Sequence, residues 1–157
     1  DRSLTLNPST LNVTDSNEYA YIAKAVKESP EYQGMIERLI TKAEKDNKTD
    51  FRKFFTKDSK GAETEGPLEF NTGDLKTALH GTEGTHIRAS RQEDGSWEVS
   101  AAVLDTYDFN LKNYENDKVL NAGNNFALLS QTAQAISSYQ VNITFNHRVQ
   151  LNPRKPP

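Results

Sequence analysis

Residues 85–108 read THIRASRQEDGSWEVSAAVLDTYD. Asp94-Gly95 stands between two runs rich in β-branched and apolar residues, a strong short-range hairpin signal. The predicted strands are Thr85–Arg91 and Trp97–Leu104. With Asp94 and Gly95 as a two-residue turn, His86 falls opposite Val103 and Gly84 opposite Asp105. His86 is then a diagonal neighbour of Asp105 on the face that also carries Trp97, Val99, Ala101, Val103 and Tyr107. A one-residue slip in the turn moves His86 to the other face.

Upstream, residues 1–16 are polar, include Pro8, and read as a linker or lead-in. Ser16 or Asn17 can cap a helix running to about Glu28. Ser29-Pro30 restarts a helix, since Pro fits the first helical position. Met35, Ile36, Leu39, Ile40 and Ala43 recur at helical spacing along it, and Asp46-Asn47 ends it. Asp50 is read as the cap of a short turn carrying Phe51, Phe54 and Phe55. Residues 58–68 form a charged loop, and Thr72–His80 is a short helix stopped by Gly81.

Downstream of the hairpin, Asn124 or Asn125 opens an amphipathic helix through Phe126, Leu129, Ala133 and Ile136. Val141–Leu151 alternates apolar and polar residues as a half-buried strand. Residues 152–157 read as a disordered tail. One domain is expected over 17–151, with a helical part at 17–57 and a sheet part at 68–151. Helices precede strands, so the fold class is α+β: N-terminal helices on a small, mostly antiparallel sheet, with one further C-terminal helix and strand.

The chain has 157 residues, of which 34% are hydrophobic and 26% charged, enough for one modest core. No apolar run approaches the roughly 20 residues of a membrane-spanning helix. Nineteen basic residues face 22 acidic ones, for a net charge of −3. Divided after Lys60, the halves carry +1 and −4. Neither has the basic surplus that nucleic acid demands through counterion release, so no nucleic-acid partner is expected. A polybasic membrane patch is missing as well. The absence of cysteine excludes disulfides and thiolate chemistry. A first residue other than Met reads as a piece of a longer, processed protein.

The densest chemistry is Asp105-Thr106-Tyr107-Asp108, where the second hairpin strand runs out. A carboxylate beside an imidazole orients the ring and raises its pKa, which would prepare His86 and Asp105 for proton exchange. Asp105 and Asp108 could hold Mg²⁺ through oxygen ligands, with a phosphate completing the shell. Turn-forming roles are the plain alternative for both acids. His80 and His86 bracket a Gly-rich loop and would flank a concavity, although His80 also suits a helix C-terminus. Arg148 and Arg88 are candidates for clamping negative charge. His147 lies on the apolar face of its strand, as a core position would.

Asp105-Thr-Tyr107-Asp108 resembles the Asp-x-Tyr-Asp motif of the colicin M family of bacteriocins. In that family a His-Arg pair follows closely; here Tyr114 and Glu115 occupy those positions, and His147-Arg148 comes nearly forty residues after the motif. The resemblance implies Mg²⁺-assisted hydrolysis of the phosphoester between undecaprenyl and the pyrophosphoryl sugar of lipid II. It also implies Asp105, Tyr107 and Asp108 as site residues. More broadly, the chain is similar to C-terminal toxin domains of secreted polymorphic toxins and type VI effectors.

The expected function is thus an exported antibacterial hydrolase, secreted or acting in a target cell's periplasm on a lipid-linked substrate, with a cognate immunity protein as partner. Asp105, Tyr107, Asp108, His86 and Arg148 would be catalytic, and His80, Arg88 and Trp97 would contribute to binding. The alternatives are a non-catalytic module whose Trp97-bearing sheet face recognises a glycan or protein, or an immunity-type partner protein.

Overall fold

The computed structural model describes residues 9–57, 65–71, 73–79, 81–108 and 138–151. Its elements run β1 (Ser9–Thr14), α1 (Ala20–Glu28), α2 (Pro30–Lys45), β2 (Asp50–Thr56), α3 (Gly73–Ala78), β3 (Gly84–Arg91), β4 (Trp97–Asp108) and β5 (Ser138–Val149). The five strands form one sheet in the order β1-β5-β4-β3-β2. β1 pairs parallel to β5, and the other three pairings are antiparallel. The α+β class is therefore what the chain adopts.

β1 and β2 form opposite edges of the sheet, and α1 and α2 lie between them in sequence. The Ser29 N–H bonds the Val26 carbonyl to close α1, and Ser29 caps α2 by accepting a bond from the Tyr32 N–H at 3.2 Å. Tyr32, Met35, Ile36, Ile40 and Ala43 are buried at three- and four-residue spacing, joined by Ile22, Ala23 and Val26 from α1. Asn47 ends α2 in the left-handed region at φ 57°. The Asn47 and Lys48 N–H groups there reach back to the Glu44 and Ala43 carbonyls.

Two stretches differ from the sequence reading. Residues 9–14 are an edge strand rather than a lead-in: Leu11 and Val13 pack inward while Asn12 faces out, an alternation too short to stand out among polar neighbours. Residues 50–56 are a strand rather than a capped turn, with Phe55 buried and Phe51 against Trp97 at 5.5 Å. Lys53 sits between them at a half-buried position, which hides the period of two. The helix expected over 124–136 lies outside the described residues.

The hairpin forms where Asp94-Gly95 predicts it, in a different register. Gly95 takes φ 87° and its N–H bonds the Gln92 carbonyl at 3.0 Å, while the Gln92 N–H bonds the Ser96 carbonyl at 2.7 Å. This is a three-residue loop closed by a left-handed glycine bulge rather than a two-residue turn. Asp94 fixes it by accepting from the Ser96 N–H and hydroxyl at 2.9 and 2.6 Å. His86 consequently pairs with Ala102, and Ile87 with Ala101.

Odd-numbered residues of β4 and β5 face the helices: Trp97, Val99, Ala101, Val103, Val141, Ile143 and Phe145 are all buried. The Trp97 indole N–H donates to Glu44 at 3.2 Å. Even-numbered residues, among them Ser100, Asn146 and Arg148, occupy the opposite, open face. Ile143→Ala is expected to cost about 2–5 kcal/mol by opening a core cavity. Gln140→Ala, on the open face of the same strand, should stay within about 0.5 kcal/mol. Chemical denaturation of both variants checks the assignment of faces.

Candidate functional site

Asp105 follows the four inward residues of β4 on the same face, at the end of the buried ladder. The β-strand backbone continues through Thr106 to Asp108, paired with β5. Asp105 is partly buried, and its carboxyl accepts the Thr106 N–H at 3.0 Å. Burial raises its pKa to about 7, helped by the nearby Glu83 carboxylate and opposed by the Thr106 bond and Lys57. Glu83 is held there by its own N–H, which donates to the Leu104 carbonyl at 2.9 Å. A carboxyl titrating near neutrality can give or take a proton at either stage of a hydrolysis.

Among the described residues, the other expected site residues do not gather around it. The observed register puts His86 on the opposite face from Asp105, so the anticipated diagonal contact does not exist. Arg148 lies on that open face too. It donates to Glu98 at 2.7 Å and sits 4.0 Å from Asp94, at the hairpin end of the sheet. Seven positions of β4 separate Glu98 from Asp105, a run of about 23 Å. Arg88 is exposed on the open face opposite Ser100. Trp97, at 0% exposure, is a core residue and no part of a recognition surface. His80 and the side chains of Tyr107 and Asp108 lie outside the described residues.

The expected Mg²⁺ site pairs Asp105 with Asp108, whose side chain lies outside the described residues. Among the described residues no group of three or more His, Asp or Glu is arranged to hold a metal ion. No step below passes through a metal. No described helix is long and apolar enough to cross a membrane.

Sequence reading does not find a further polar contact, at the edge of the core. The Tyr32 hydroxyl lies 2.5 Å from His147 Nε2, with the rings 5.3 Å apart and Phe145 edge-on to Tyr32. Burial raises the Tyr32 pKa, so the phenol keeps its proton. Burial, assisted by Lys27 and opposed by Glu98, lowers that of His147. The phenol is therefore the donor and Nε2 the acceptor, which assigns the imidazole proton to Nδ1. The two residues are 115 apart in sequence, beyond any local pattern.

No protein-family model matches the chain, and no curated protein matches it significantly.

These shifts have opposite consequences for stability. His147 favours its neutral form in the fold, so its contribution is complete above the ordinary histidine value near 6.5 and is lost as pH falls below it. Asp105 favours its protonated form, so its contribution is present below the ordinary carboxylate range and lost as pH rises through about 7. Allowing for solvent at this partly exposed group, that loss is about 1–2 kcal/mol. Asp105→Asn should flatten the alkaline limb of a stability–pH curve, and His147→Gln the acidic limb. Denaturation midpoints between acid and mildly alkaline pH measure both.

Proposed function

We propose that this chain is a hydrolytic toxin domain of the exported antibacterial kind, with Asp105 as its proton-exchanging group. The observation that carries the reading is a carboxyl with a pKa of about 7, partly buried at the end of a buried strand ladder and inside the Asp-x-Tyr-Asp motif. The substrate class follows from the motif's resemblance: a phosphoester joining a polyprenyl alcohol to a pyrophosphoryl sugar. Water adds to phosphorus as the bond to the lipid oxygen breaks. The ionised Asp105 takes the water's proton, and the resulting acid returns it to the departing alkoxide. Tyr107, two positions along the same strand, is assigned to orienting the phosphate.

His86 and Arg148 have no part in this version, because one lies on the other face and the other is paired with Glu98 far along the sheet. Delivered to the periplasm of a test bacterium, the chain is expected to lyse cells, while cytoplasmic expression leaves them viable. Asp105→Asn should lower release of the pyrophosphoryl sugar by about 10²–10⁴-fold with the melting temperature preserved. Arg148→Gln should retain full activity. Undiminished lysis by Asp105→Asn, or killing from the cytoplasm, contradicts the reading.

A further inference from the structure

We infer that the open face of β2 and β3 is a binding site for a nucleoside phosphate, with the phosphate between Arg52 and Arg88 and the base against Phe54. The register places Arg52 directly opposite Arg88, and Phe54 directly opposite His86. Both arginines are exposed. Like charges at opposed positions destabilise a strand pair, so this arrangement costs the free protein something that an anion would relieve. Arg38, Arg91 and Arg148 each have a carboxylate partner, in Glu65, Glu44 and Glu98. Among the described residues Arg52 and Arg88 have none. The acids nearest in the register on their face are Asp50 and Glu98, on either side of Ser90, and Glu98 is held by Arg148. Two guanidinium forks side by side suit the several oxygens of one phosphate.

One pleat repeat further on, about 7 Å along the strands, the surface turns aromatic. Phe54 is 56% exposed, the most exposed large apolar side chain described. Its ring leans over Gly84, with Cε1 3.1 Å from where a Cβ would stand, and lies 5.7 Å from the His86 ring. A side chain at position 84 would push the ring away, so the glycine keeps this platform against the sheet. Base stacking on such a ring tolerates any base. The separation of the arginine and aromatic pairs matches the span from a nucleotide's phosphate to its base. A site for one nucleotide is also consistent with a net charge of −3, which disfavours a long polyanion. The site shares no residue with the Asp105 end of β4 and stands independently of the proposed hydrolysis.

The test is an NMR titration of the full chain with adenosine 5′-monophosphate, and with adenosine, inorganic phosphate and polyglutamate as separate probes. Saturable shifts confined to the β2 and β3 amides are expected, with adenosine and phosphate each about tenfold weaker or more. Arg88→Gln should weaken the nucleotide about tenfold. Phe54→Leu should do the same while leaving phosphate binding unchanged. If Arg88→Gln lowers the melting temperature, Arg52→Gln reports on the same phosphate. Absence of saturation, shifts located elsewhere, or insensitivity to both substitutions overturns the inference. So does polyglutamate binding as tightly as the nucleotide, which would make the patch a docking surface for acidic peptide.

Discussion

The alternation of β4, locked in place by the Gly95 turn, is the constraint from which the rest of this molecule follows. Twelve residues in one strand put the chain's only tryptophan and three small apolar residues under the helices. The same alternation sends Ser100, Ala102 and Leu104 to the other side. Because side chains repeat every second residue, a single extra residue in the turn decides which strand positions become neighbours. Gly95 in the left-handed region supplies that residue, and Asp94 holds it through Ser96. The turn therefore separates two chemistries: a carboxyl at the end of the core face, and a cationic, aromatic surface on the open one.

Much of this architecture is readable in the sequence, for identifiable reasons. The helix pair is plain because Ser29-Pro30 and the spacing of Met35, Ile36 and Ile40 agree. β5 is plain because its alternation runs unbroken from Val141 to Val149. The edge strands are not, since an edge strand buries only part of one face and its pattern is diluted: Leu11 and Val13 are two residues among polar ones, and Lys53 interrupts Phe51 and Phe55. The hairpin is legible as a hairpin but not in register. Asp-Gly serves either a two-residue turn or a glycine bulge, and only the backbone angles distinguish them.

The site is less legible than the fold because it depends on that register. Asp105 stands out in sequence as the first acid after an apolar strand, and its position at the rim gives it a titration range suited to proton transfer. A two-residue turn would set His86 beside it, whereas the observed register carries His86 to the other surface. Arg52 and Phe54 attract no notice within a stretch read as a turn; they become a pair of opposed partners for Arg88 and His86 only once β2 is a strand. Tyr32 and His147 meet only through the packing of α2 on β5, and their hydrogen bond satisfies two polar groups that burial would otherwise penalise.

The most direct measurement is the backbone register of β3 against β4 from cross-strand NMR contacts in the full chain. The account predicts proton contacts that pair His86 with Ala102 and Arg88 with Ser100, leaving Asp105 on the buried face. Contacts pairing His86 with Val103 would bring the imidazole back beside Asp105 and contradict the division of the sheet into two separate chemical faces.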